Sequence, residues 1–412
     1  MARSGSHHAP RIALERTVSA IASARRAVVA DRYAINAFAV EWRWLSELIP
    51  IADDWRDLAA RALEPNVFYE PGFALAAAAV FGDGAGAVLV WSGTQPRKLL
   101  GFFPARISQR RYGLKLPLLL GWTHPYGPLG TPLVERDAAE PVIGAWLAHL
   151  AENPALPGLV LLPLIAEDGP VAAALGRNLR RAQMPWADFG RHRRALLEPG
   201  DDRAHYLEQT LTVHRYREFQ RSGRRLADLG ALLFTASREP VAVLAEIEDF
   251  LMLEASGWKG KAGSAAASSD DRRGFFKTAV AALAAEGKVQ IDRLLLDGKS
   301  IAAAVTLLSG AGAWYWKIAY DEKFARYAPG MLLTAALTEQ LAEDEAIART
   351  DSCAAPGNAT LDPIWGERLS LCDRLIAVRP TARFGFACRL ERARRAAISA
   401  AKGLRARLRA QR

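Results

Sequence analysis

Asp321 and Asp351 each close an apolar run that reads as a strand, Ala313 to Ala319 and Ile347 to Ser352. Between those runs, Arg326-Tyr327-Ala328-Pro329-Gly330-Met331 leads into a periodic stretch, Gly330 to Ala342, that predicts a helix. A helix start leaves backbone N–H groups without intrahelical partners and adds partial positive charge. A phosphate is its natural guest. In open α/β sheets, ligands bind beyond the carboxyl ends of the strands. Asp321 or Asp351 is therefore placed to act as a general base, with Tyr320 or Tyr327 as an acid. The plain alternative for each carboxylate is a turn cap, and for each tyrosine a ring packed at a strand end. Cys353 has no histidine near it in sequence and reads as a small buried cysteine.

The elements that must carry these groups recur twice along the chain. The first half offers a Pro71-Gly72 helix start, a hairpin from Ala87 to Trp91 and Leu99 to Ile107, and a strand from Leu118 to Trp122. A Gly/Pro-rich loop, Thr123 to Pro132, leads to a helix over Pro141 to Leu150. A buried strand Gly158 to Leu164, a helix Pro170 to Met184 and a strand near Arg194 to Leu197 follow. The second half offers a helix over His205 to Leu229, a strand Leu232 to Ser237, helices Pro240 to Leu253 and Ser269 to Glu286, and strands Val289 to Leu296 and Ile301 to Ser309. Asp297-Gly298 between those last two is the strongest short hairpin signal present. The shared layout predicts an α/β (α+β) fold built by duplication, with mixed, mostly antiparallel sheets flanked by helices. The expected division is a basic arm over 1–32, domains over 33–200 and 201–380, and a basic amphipathic helix over 381–412.

Composition narrows the class. The chain has 412 residues, half of them hydrophobic, and no apolar run reaches the ~18 residues of a membrane helix. Three cysteines without metal-ligand spacing point to a reducing cytoplasm and no metal. No secretory signal is expected. The net charge of +10 sits at the ends: residues 1–32 carry six Arg against two acids, and residues 381–412 ten Lys/Arg against one acid. The body between them is slightly acidic, which argues against nucleic acid as the main partner. In the tail, Phe386, Leu390, Ala397, Ile398, Ala401, Leu404 and Leu408 share one helical face ringed by arginines, a pattern suited to an anionic membrane surface.

Residues 205–378 carry a resemblance. Arg224-Arg225-Leu226 with Gly230, Leu253 with Trp258, Asp297-Gly298-Lys299-Ser300-Ile301-Ala302, Ala319-Tyr320-Asp321 with Phe324, Pro329-Gly330 with Leu332-Leu333, and Asp351 stand in the order found in the CelD/BcsL cellulose-biosynthesis family of the GNAT acetyltransferase superfamily. Gly257-Trp258-Lys259-Gly260 and Asp351-Ser352-Cys353-Ala354 are similar to one subgroup. Fem-type aminoacyltransferases are similar two-copy relatives. The resemblance implies an acyl-thioester, usually acyl-CoA, bound at the strand–loop–helix turn. This loop departs from the superfamily's glycine-rich form, offering Arg326 and one glycine after a proline that has no N–H.

The reading that follows is an acyltransferase acting on an amine or hydroxyl of a sugar, lipid or envelope polysaccharide intermediate. Its alternatives are a Fem-like transferase using aminoacyl-tRNA, or a non-catalytic acyl-CoA-binding scaffold. Asp321, Asp351 and Tyr320 are its catalytic candidates. Lys317, Arg326, Pro329, Gly330, Met331 and Lys259 are candidates for the cofactor. Trp258, Trp316, His124, Tyr126, Arg217, Arg221, Ser352 and Trp365 are candidates for the acceptor. Arg217, Arg221 and Arg225 recur every four residues on one helix face, where like charges repel unless an anion offsets them. The expected location is cytoplasmic, or peripheral on the inner face of a membrane.

Overall fold

A computed structural model describes residues 38–111, 113–257, 266 and 269–410. The N-terminal arm and the Trp258–Lys259 candidates lie outside the described residues. The first half runs β1 (Phe38–Trp44), α1 (Ala52–Ala60), α2 (Pro71–Phe81), β2 (Ala85–Ser92), β3 (Leu99–Ser108), β4 (Leu118–Gly121), β5 (Leu133–Val134), α3 (Ala139–Glu152), β6 (Leu159–Ala166), α4 (Pro170–Arg181) and β7 (Trp186–Leu197). The second runs α5 (Tyr206–Thr210), α6 (Val213–Ala227), β8 (Leu232–Ser237), α7 (Pro240–Ser256), α8 (Asp270–Ala284), β9 (Val289–Leu296), β10 (Lys299–Ser309), β11 (Gly312–Tyr320), α9 (Pro329–Glu343), β12 (Arg349–Asp351), β13 (Glu367–Ala377) and α10 (Arg383–Ala410).

Among the described residues all thirteen strands join one mixed sheet, ordered β1-β2-β3-β4-β6-β13-β7-β12-β11-β10-β9-β8, with β5 on β3. The order reads as a palindrome. β1 to β4 and β6 match β8 to β11 and β12, and each set contains one parallel pair, β4 with β6 and β11 with β12. At the centre the last strand of each half crosses over: β7 pairs with β12, and β13 pairs with β6. The duplicated, mostly antiparallel layout is as the sequence predicts. Strand β13 is an addition, because the sequence reading names no strand after Ile347 to Ser352.

Local chemistry explains the elements. Asp297 and Gly298 both take positive φ, which a two-residue hairpin of this twist requires. Ser269 caps α8 through the Arg272 amide, and Glu239 caps α7 through Ala242. The helix expected over 205–229 breaks at Leu211, because the Thr212 side chain accepts from the Arg215 amide and starts a new helix there. The halves are fastened by α2 against α8, where a Cβ on Gly72 would stand 3.0 Å from that of Ala282. Glu70 then accepts from Lys288 at 2.9 Å and from Ser309 at 2.6 Å.

The tail forms a helix, as the sequence reading expects. Among its described side chains Ala387, Cys388 and Glu391 are buried, whereas Phe386 and Ile398 are exposed. Glu391 and Asp373 both hold Arg395, so the first turns of α10 are pinned to the sheet by charge as well as apolar contact. Among the described residues no helix is long and apolar enough to cross a membrane.

Candidate functional site

Strand β11 shapes the site. It pairs with β12 only through Gly312, Ala313 and Trp314. Beyond Trp314 the two strands part, so β12 does not follow β11 from Tyr315 to Tyr320. On the other side of β11, Val305 faces Lys317 while Thr306 faces Tyr315, so Trp316 is the extra residue of a β-bulge. A bulge re-aims side chains. Trp314 and Trp316 join the core under α8, and Tyr315 joins the core under α9.

The bulge directs Trp316 and Lys317 at the loop 123–132 of the first half. The Trp316 indole donates to the Tyr126 carbonyl at 2.8 Å and stacks on Phe276. The Lys317 ammonium sits 4.3 Å from the centre of the Tyr126 ring, a cation–π contact. Burial, then the nearby Glu254 carboxylate, pushes the Tyr126 phenol upward in pKa. Three sequence candidates thus come together across the halves.

Asp351 joins them from the other side of the opening. Arg194 donates to it at 2.5 Å and to the Pro128 carbonyl at 2.9 Å. The other Asp351 oxygen accepts from the Cys353 amide. Burial alone would lower the Arg194 pKa; Asp351 reverses this and the net direction is upward. Burial, reinforced by Asp351, pushes the Cys353 thiol well above its ordinary value, so it stays protonated and is a poor nucleophile. Ser352 is buried, with its amide on Ala195 and its hydroxyl accepting from Ala354.

Other candidates stand elsewhere. Asp321 and Asp351 do end adjacent parallel strands, but β12 is three residues long and aligns with the start of β11. Asp321 lies seven residues beyond Trp314, about 20 Å away at ~3.3 Å per residue. It caps the short 3-10 helix Glu322–Tyr327 by accepting from the Lys323 amide. Tyr320 packs on Gly330, where a Cβ would meet its ring at 3.1 Å. Trp365 is fully buried and donates to Thr338, so it holds α9 and does not face an acceptor. Arg217 and Arg221 are on the exposed face of α6, opposite Tyr216, Phe219 and Leu226. His124 is stacked on Phe81, and burial lowers its pKa to about 3, which makes it a neutral wall.

The start of α9 is a modest anion cradle. Its N-cap, Ala328, is left-handed and supplies no side-chain cap. Pro329 has no N–H, and the Met331 and Leu332 amides turn onto the Ala328 carbonyl. That leaves the Gly330 amide, the helix dipole and Arg326, whose guanidinium stacks over Tyr327.

The first half has the same opening between β4 and β6, beyond Leu120 and Leu161, and fills it with its own loop. Gly130 donates to the Leu164 carbonyl at 2.9 Å, and Asn66 donates to the carbonyls of Leu129 and Thr131. The tip of this loop, Tyr126 to Pro128, then serves the second half.

Sequence reasoning missed Arg194 and Glu254. Arg194 is one of three arginines in Arg191-His192-Arg193-Arg194, and only the register of β7 between β13 and β12 selects the buried one. Glu254 lies in the last turn of α7, is buried, and accepts from the Ala266 amide at 2.7 Å; nothing local separates it from a solvated helix acid.

Residues 214–358 match the family described as an acetyltransferase (GNAT) domain. Among solved structures the chain is similar to FemX, with a TM-score of 0.52 and 10% identity over 79% of this chain and 95% of that one. It is also similar to the C-terminal domain (DUF2156) of a putative lysylphosphatidylglycerol synthetase from Agrobacterium fabrum, with a TM-score of 0.50 and 13% identity over 82% of this chain and 94% of that one. Likeness at such identities is one of fold. No curated protein matches the chain. The stretch that matches the GNAT domain runs from α6 past β12 and includes β11, α9 and the loop between them.

Proposed function

We propose that the chain moves an acyl group from an acyl-thioester, read as acyl-CoA, to an amine or hydroxyl of a sugar, lipid or envelope polysaccharide intermediate. One observation carries this: β11 parts from β12 beyond Trp314 and runs on through the bulge at Trp316 toward the helix start at Pro329. A strand edge offers backbone donors and acceptors to an extended amide-bearing chain, and the helix start favours a phosphate. The residues fit such a donor at both ends, with Arg326 and Gly330 at the phosphates and Lys317 at the reactive end.

When bound, the thioester supplies an activated carbonyl. Lys317 holds positive charge where the carbonyl oxygen gains negative charge during transfer. Tyr126 keeps its proton until a basic group draws it, so it can pass a proton toward the departing sulfur while the acceptor gives one up. The net change is one C–N or C–O bond formed, one C–S bond broken and one thiol released. Asp351 is a positioning residue: through Arg194 and Pro128 it fixes the loop that carries Tyr126. Asp321 and Tyr320 support the start of α9.

The test is release of free thiol from acetyl- and longer acyl-CoA against a panel of amino sugars, ethanolamine lipids and polyols, with Lys317→Met as control. Acceptor-dependent thiol release that Lys317→Met abolishes is expected. Thiol release that is absent, or equal in Lys317→Met, sinks the reading and leaves a scaffold. A second reading, aminoacyl transfer from charged tRNA, is favoured by the sparse phosphate cradle at Pro329-Gly330, and radiolabelled aminoacyl-tRNA in the same assay tests it. The basic end of α10 is read as a contact to an anionic membrane. Arg405→Glu, Arg407→Glu and Arg409→Glu together should abolish sedimentation with anionic vesicles, and unchanged sedimentation removes that contact.

A further inference from the structure

The palindrome matches β1 with β8 and α3 with α9. In the second half, the helix just before β8 covers that pair. Tyr216, Phe219 and Leu226 of α6 join one apolar cluster with Leu232 and Phe234 of β8 and Leu332 of α9, and Gly223 of α6 lies against Leu332. In the first half the described chain begins at Phe38. The corresponding place is a largely apolar cavity of about 510 Å³ between β1, α3 and the end of α4. Phe38, Val40, Gly144, Ala145, Ala148 and Met184 line it. His149 also lines it, with Nε2 buried and lacking a hydrogen-bond partner. An apolar hollow of this size with one orphaned polar atom is incomplete as a piece of core.

We propose that this groove is the docking site of the chain's own residues 12–29, which stand to β1 as α6 stands to β8. Leu14, Val18, Ile21 and Val28 recur at three-, four- and seven-residue spacings, a stripe that suits a groove between a helix and a sheet edge. Residues 30–37 link that stripe to Phe38, which is itself on the cavity wall. Eight residues reach about 26 Å, enough to turn back onto α3. The segment carries Arg16, Arg25 and Arg26 against one acid, and Glu152 lines the groove; Glu140, also there, is held by Arg177 and Arg181.

The test uses the full chain and hydrogen exchange at β1 and at Gly144 to Ala148. Leu14→Asp, Val18→Asp and Ile21→Asp combined should raise exchange there at least tenfold and raise binding of an apolar dye, while Ser23→Asp, on the opposite helical face, changes neither. Ala145→Glu, approached from the groove side, should give the same rise. The two sets together should give no more than either alone, because both act through one contact. Unchanged exchange in the Leu14 set overturns the proposal. So does a concentration-dependent dimer that the Leu14 set dissolves, since the occupant is then a second copy. A lipid that co-purifies with the full chain but not with Ala145→Glu, with the Leu14 set inert, overturns it as well.

Discussion

Arg194 and Asp351 meet at 2.5 Å, one from each half of the chain, with side chains only 3% and 7% exposed. Strand exchange makes the meeting possible, because β7 of the first half lies directly beside β12 of the second. Breaking such a pair leaves an uncompensated buried charge, at a cost of about 3–5 kcal/mol. Arg194→Ala or Asp351→Asn should each lower the denaturant midpoint accordingly. Arg194→Met with Asp351→Leu should recover most of the loss. If the double variant is as unstable as the singles, the pair is not what holds this junction.

Lys317 and Asp321 separate chemistry from capping. Lys317→Met should lower turnover by roughly 100-fold, the scale of losing one charge-stabilising donor, and leave the melting temperature nearly unchanged. Asp321→Ala removes an N-cap, worth about 1 kcal/mol, and should leave turnover within a few-fold. Steady-state rates and melting curves on both variants decide between them.

Gly130 marks the tightest backbone approach in the first half. A Cβ there would collide with the Pro163 carbonyl oxygen, which belongs to rigid backbone. Gly130→Ala should therefore displace the loop, costing about 1–3 kcal/mol as overpacking does. Because Tyr126 rides on that loop, turnover should fall as well, although Gly130 belongs to the other half. Retained turnover with lost stability would detach the loop from the site.

His124 sets an acid limb. A free imidazole takes its proton near 6.5, whereas burial holds His124 down to about 3. Between those values the unfolded chain binds the extra proton, so stability falls as pH drops from 6.5 toward 3. His124→Phe, which keeps a flat ring against Phe81, should flatten this limb. Denaturation midpoints compared at about pH 7 and about pH 4.5 check it.

Asp292 works in the opposite direction. It is fully buried on β9, one carboxylate oxygen has no partner, and burial raises its pKa from 3.8 to about 7. The folded chain holds this proton more tightly, so stability falls as pH rises from 3.8 to about 7, and the penalty then persists. Asp292→Asn should raise the melting temperature more at about pH 8 than at about pH 5. An equal gain at both would show that ionisation is not the cause.

Much of the fold was legible because its signals are local. Asp297-Gly298 announces its hairpin, Pro329-Gly330 its helix start, and the alternation of Val289 to Ser309 its strands. Strand β13 escaped because Glu367 to Ala377 carries charges at Glu367, Arg368, Asp373 and Arg374, whose partners come from other elements; Arg374, for instance, pairs with Asp188 of β7 at 2.7 Å, Asp373 with Arg395 of α10 and Glu367 with Tyr206 of α5. The site was half legible for the same reason. Lys317, Trp316, Tyr126 and Asp351 carry suggestive chemistry in place. That Asp321 caps a turn far from Asp351 depends on where β12 stops, and no residue type encodes that.

The crossed central strands also dictate the order in which the protein can be made. β6 waits for β13, whose residues are synthesised about two hundred positions later. Until then the first half emerges with an open strand edge in the middle of what will be its sheet, the kind of surface on which nascent chains stall or cling to one another. Its closure must wait until β13 has been made, so any variant that slows docking of that strand will lower yield before it lowers activity.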